Sequence, residues 1–197
     1  MLRHQLLIHF FWLVLQSLFE KLVINSICLV TKLNMKNSDF TILVVDDNEE
    51  NLKVIGTFLL EQEYKLAVAT DGPGALQIVL GSKIDLILLD VMMPGGMDGF
   101  ETCIRFKEDP KTSEIPVIFL TAKAETTDIV KGFRIGGVDY VTKPFRQEEL
   151  LARVRTHLKL GYLQSQLNNR VNYLEHSRAE IMQWLNGLAK SVSSSSD

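Results

Sequence analysis

IDLILLDVMMPGGMDGF, residues 84–100, decides the fold. Ile84–Leu89 is a short, branched, apolar run, the mark of a strand covered on both faces. Asp90 closes it. Pro94, Gly95 and Gly96 break the chain into a loop, and Gly99–Lys107 resumes with helical spacing. A buried strand that ends on an acid and passes through a glycine loop into a helix is one arm of a βαβ unit.

The same grammar extends in both directions. Phe40–Val45 (FTILVV) and Pro116–Leu120 (PVIFL) are two more buried strands, and Tyr64–Thr70 and Val138–Val141 read as shorter ones. Between them, Asn48–Gln62 places Leu52, Ile55, Phe58 and Leu59 at helical spacing. Asp71-Gly72-Pro73-Gly74 reads as a turn before a short helix over Ala75–Leu80. Thr126–Ile135 and the chain from Gln147 onward are helical. Strands alternating with helices predict a parallel sheet with right-handed crossovers and helices on both faces. The expected class is α/β: a doubly wound, five-stranded parallel sheet of flavodoxin-like type with a C-terminal helical or coiled-coil extension. Ligand sites in such sheets lie beyond the C-terminal strand ends, where strand order reverses.

Bulk properties narrow the function. The 197 residues fit one domain plus extensions, and 46% hydrophobic content supplies a core. A net charge of −3 with no basic patch implies no nucleic-acid partner. The two cysteines, Cys28 and Cys103, have no metal-ligand spacing and fit a reduced, cytoplasmic protein. Cys103 reads as a small core hydrophobe.

Four segments follow. Residues 1–34 include LLIHFFWLVLQSLF, Leu6–Phe19, an apolar run shorter than the roughly 20 residues of a membrane span. Three readings stay open there: an extension upstream of a start at Met35, a membrane anchor or interfacial helix, and a signal peptide. Residues 35–160 form the α/β domain. Residues 161–190 form an amphipathic helix or coiled coil. Leu160, Leu167, Leu174, Ile181 and Leu188 recur every seven residues, beside a half-apolar lane at Gln164, Val171, Arg178 and Leu185. Gly161 weakens the start of that helix and Gly187 its end. Residues 191–197 read as a disordered tail. His176 reads as a solvated helix histidine.

The chemistry sits at predicted strand ends. Asp46 and Asp47 follow the first strand, Asp90 the third, Thr121 ends the fourth, and Lys143 the fifth. Three carboxylates in one cleft repel each other, which a hard divalent cation resolves; Mg²⁺ suits one or two carboxylates with water and phosphate oxygens. Each residue has a plainer explanation: acids opening a helix, a threonine at a strand end, a surface lysine. Their common placement at one sheet edge is what singles them out.

LVVDDNEENL, LILLDVMMPGGMDGFE, PVIFLTAK and DYVTKPF resemble the blocks of the response-regulator receiver family, in order over about residues 40–160. The resemblance implies phosphorelay signalling rather than a metabolic enzyme. It makes Asp90 the phosphoacceptor, and Asp46, Asp47, Asp90 and the Met92 carbonyl the Mg²⁺ ligands. Thr121, Lys143 and the Ala122 amide would contact the phosphoryl group, and Tyr140 would be an aromatic switch. The Lys143–Pro144 bond resembles one that is often cis in the family. The implied partner is a sensor histidine kinase or phosphotransfer protein; separately, the seven-residue lane leaves open a homodimer through the C-terminal helix. The chain departs from the family pattern by one extra glycine, at Gly95-Gly96. Met92 and Lys123 occupy positions that tune dephosphorylation in the family. A phosphorylation-independent adaptor docking through its coil is the alternative function. An aspartyl phosphatase of the haloacid-dehalogenase type is disfavoured, because Asp46-Asp47-Asn48 lacks the DxDxT pattern.

Overall fold

The computed structural model describes residues 35–94, 96–122 and 126–193, without the side chains of residue 126 and residues 188–193. The readings of residues 1–34, the loop position Gly95 and Lys123 lie outside the described residues. The chain divides into two units, Met1–Asp39 and Phe40–Asp197. The described part of the first holds a 3₁₀ turn over Asn37–Asp39.

The second unit is the α/β domain. Its elements are β1 (Thr41–Val45), α1 (Glu49–Leu60), β2 (Lys65–Ala69), α2 (Gly72–Gly81), β3 (Leu86–Asp90), α3 (Gly99–Glu108), β4 (Val117–Thr121), α4 (Thr126–Arg134), β5 (Asp139–Thr142) and α5 (Gln147–Ser193). All strands pair in parallel in the order β2-β1-β3-β4-β5. The order reverses between β1 and β3, so the cleft falls above their C-terminal ends.

Sequence explains the positions in the sheet. Every residue of β3 (LILLD) and β4 (VIFLT) is buried, as central parallel strands require. β2 and β5, at the edges, are only partly covered. α1 packs against α5, and α2 against α3, which puts helices in two groups about the sheet. One core cluster joins Leu43, Ile87 and Leu89 to Phe106 and Phe119. Cys103 belongs to it, and burial pushes its thiol up to about 11.

Side chains cap the helix starts. Asn48 accepts from the Glu50 amide at 2.8 Å, Asp71 from the Gly74 amide at 2.7 Å, and Asp98 from the Glu101 amide at 2.7 Å. The turn expected at Asp71–Gly74 is thus corrected: Asp71 is the N-cap and Pro73 lies in the first helical turn. Proline fits there because its missing N–H would have no helical partner.

α5 is one continuous helix through both Gly161 and Gly187. A single helical glycine costs about 1 kcal/mol, too little to stop the helix. The irregular tail expected from residue 191 is corrected for residues 191–193, which are helical; residues 194–197 lie outside the described residues. Among the described residues, no helix is long and apolar enough to cross a membrane.

Candidate functional site

The sheet delivers the acidic residues to one edge. Asp46 follows β1 directly and Asp90 is the last residue of β3, its pleated neighbour. Both are buried, whereas Asp47 turns to solvent. One carboxylate oxygen from each of Asp46, Asp47 and Asp90 lies within 4.8 Å of the others. Lys143, one residue past β5, reaches across the end of the sheet. Its Nζ donates to Asp46 Oδ2 and to Asp90 Oδ2, both at 2.7 Å.

The rest of the shell fixes these carboxylates. Asp46 Oδ1 accepts from the Asn48 amide at 3.0 Å and from Asn51 Nδ2 at 2.9 Å. The Met92 amide donates to Asp90 Oδ1 at 3.3 Å, while the Met92 side chain is exposed. Burial pushes the Asp90 carboxyl above its usual range; the Lys143 hydrogen bond and charge pull it back, and the charge of Asp46 pushes it further up. Three carboxylates against one ammonium leave two negative charges. An all-oxygen donor set with that balance fits a hard divalent cation, with Asp46, Asp47 and Asp90 as the side chains to hold it.

Gly99 ties this geometry to α3. Its amide donates to the Val91 carbonyl at 3.1 Å. A Cβ at Gly99 would overlap the Asp90 carbonyl oxygen. The helix can start that close to the acidic strand end only at a glycine.

Thr121 ends β4 beside the cleft, and the Lys143 amide donates to its carbonyl at 2.7 Å. Ala122 is the exposed residue that follows. Thr121 and Tyr140 also line a cavity of about 20 Å³ between β4, β5 and α4, closed by Phe100, Phe119 and Phe133. Tyr140 is half-buried, edge-on to Phe133 at 6.3 Å, and the Arg153 guanidinium sits 5.7 Å from its ring centre. The Lys143–Pro144 bond is cis. Lys143 therefore meets Asp46 and Asp90 directly, Asp47 lies beside them on the solvent side, Met92 joins through its backbone, and Tyr140 stands apart around the cavity.

Sequence reasoning missed Asn48, Asn51 and the network around Asp139. Asn51 gave a signal, an amide one helical turn beyond the Asp pair. Asp139 accepts from Arg153 Nη1 at 2.7 Å and faces His157 Nε2 at 3.0 Å. Burial would raise its carboxyl, but bonds from His157, the Tyr140 amide and Arg153 outweigh it and hold the group below its usual range.

Fold and cleft together define a doubly wound α/β domain with an acidic, lysine-bridged pocket at the switch in strand order. Residues 42–155 match the response regulator receiver domain, and the chain belongs to that family, a module of phosphorelay signalling in two-component systems. It is 42% identical over 129 residues to the response regulator PleD of Caulobacter vibrioides, covering 66% of this chain and 28% of that protein. It is 40% identical over 134 residues to the transcriptional regulatory protein YvrH of Bacillus subtilis, covering 68% of this chain and 55% of that one. Among solved structures, the receiver domain of a Francisella response regulator superposes with a TM-score of 0.56 at 34% identity, covering 60% of this chain and 96% of that one. The chain thus spans between 28% and 55% of these two curated relatives.

Proposed function

We propose that Asp90 accepts a phosphoryl group from a phosphohistidine on a sensor histidine kinase or phosphotransfer protein, in a Mg²⁺-dependent reaction. The observation that carries this reading is the lysine bridge: Lys143 Nζ at 2.7 Å from the carboxylates of both Asp46 and Asp90. That ammonium holds the Asp90 carboxylate in place and offers positive charge where phosphoryl oxygens would arrive.

In the proposed step, an Asp90 carboxylate oxygen attacks phosphorus, the P–N bond to the donor imidazole breaks, and the imidazole leaves with a proton. Mg²⁺ held by Asp46, Asp47, Asp90 and the Met92 carbonyl would neutralise charge on the transferring oxygens. Thr121, Lys143 and the Ala122 amide would contact the phosphoryl group. Water later hydrolyses the acyl phosphate. Thr121 and Tyr140 line one cavity, so a Thr121 hydroxyl drawn toward the phosphoryl group frees room for the Tyr140 ring. The population shifts toward the inward ring only by the phosphoryl group's preference for that state. On this reading the receiver spans residues 35–160 in the cytoplasm and the remaining helix serves as its extension.

The test is incubation with Mg²⁺ and acetyl phosphate, read by intact mass beside an Asp90→Ala variant. Gain of one phosphoryl group, lost without Mg²⁺ and in the variant, supports the reading. No adduct under conditions that label a known receiver would favour the adaptor.

A further inference from the structure

We infer that α5 beyond the receiver is one strand of a parallel, in-register coiled coil with a second copy of this chain. The helix packs on the domain through Leu150, Leu151, Val154 and Leu158, and Phe40 meets Tyr162 edge-on at 6.5 Å. Past that point its large apolar residues are open: Leu167 is 62% exposed and Leu174 49%. No other described helix exceeds the 12 residues of α1. None of them can cover a lane that runs about 42 Å from residue 160 to residue 188.

The period of the lane names its occupant. Leu160, Leu167, Leu174, Ile181 and Leu188 repeat strictly every seven residues. A straight helix drifts about 20° per heptad from such a repeat, so a flat globular surface would lose contact with it. A second supercoiled helix keeps contact along its whole length. These residues are the d positions, and Gln164, Val171, Arg178 and Leu185 are the a positions. Polar groups at a positions favour one register at a cost in stability.

Charge selects the orientation. In this frame Arg170 falls at a g position and Glu175 at the e position of the next heptad. That is the spacing at which two parallel, in-register helices pair a g residue with the e residue of the opposite strand. The pair occurs twice by symmetry. Leu160 also lies about 200° around the helix from the receiver-packed Leu158, at 100° per residue. The seam therefore opens away from the domain, and a second helix meets it without displacing the receiver.

Dimerisation through α5 does not depend on phosphoryl transfer, so it is tested on the 197-residue chain carrying Asp90→Ala, which cannot be labelled at that position. Sedimentation equilibrium is expected to give twice the 22.3 kDa chain mass. Arg170→Glu or Glu175→Arg alone is expected to weaken dimerisation roughly tenfold, and the double exchange to restore it. In a Cys28→Ser background, Leu167→Cys and Ile181→Cys are each expected to form a disulfide with their own copy. Crosslinking only when the two variants are mixed means an antiparallel pair and overturns the orientation. A monomer at tens of micromolar overturns the proposal, because the lane is then covered within one chain or not at all.

Discussion

Lys143→Met removes the ammonium that bridges Asp46 and Asp90 and leaves an unbranched apolar side chain one atom shorter. The two carboxylate side chains are 0% and 4% exposed, and Lys143 is 19% exposed. Deleting one partner of a buried ion pair costs about 3–5 kcal/mol, because the remaining charge has nothing to answer it. With a urea slope of about 2 kcal/mol/M, the midpoint at pH 7.5 in EDTA should fall by roughly 2 M. The penalty has a pH signature. Burial already raises the Asp90 carboxyl, so its ionised form costs the folded state stability. That cost is relieved as pH falls through the raised value toward the ordinary one, about 3.9. The difference between wild type and Lys143→Met should therefore shrink at pH 5. Asp90→Asn combined with Lys143→Met should lose less than the sum of the single changes. Urea melts of all four proteins at both pH values measure this. A loss under about 0.5 kcal/mol that is equal at both pH values would refute the reasoning and mean that water screens the cluster.

Gly99→Ala should cost about 3 kcal/mol and slow labelling of Asp90, because the new methyl meets backbone of β3 on the acidic strand end; urea midpoints and labelling rates check both. Asp139→Asn should cost about 2 kcal/mol at pH 7 by loosening Arg153 and His157. The carboxyl is held below its usual range, so that stability is complete above about pH 3.9 and lost as pH falls through the lowered value; melts of both proteins from pH 7 to 2.5 should converge. Mg²⁺ at a hundred times its dissociation constant should add about 2.7 kcal/mol to folding stability. Thermal melts with and without EDTA should show that gain, and Asp46→Asn should abolish it.

How far the sequence could be read depends on the range of each interaction. β1, β3 and β4 were legible because central parallel strands are apolar throughout. Asp46, Asp90 and Lys143 were legible as strand ends, since a parallel sheet sends every C-terminus to one edge. The start of α2 was hidden: Gly-Pro-Gly reads as a turn until Asp71 is seen capping it. Asn51 showed in the sequence only as an amide beyond the Asp pair; its reach to Asp46 depends on how α1 lies over the sheet. The Asp139 network was hidden because it joins β5 to α5, 14 and 18 residues apart. No local pattern records such a contact. Gly161 read as a weak point, but the residues around it hold the helix together.

The most direct test of the central claim maps the modified residue. Protein labelled with acetyl phosphate and Mg²⁺ is reduced with borohydride, which converts a phosphoaspartate to homoserine, and its peptides are sequenced by mass spectrometry. Homoserine at position 90, with Asp46 and Asp47 intact, is the predicted result. Homoserine at position 46 or 47, or unreduced aspartate at all three positions in labelled protein, would contradict the assignment of Asp90.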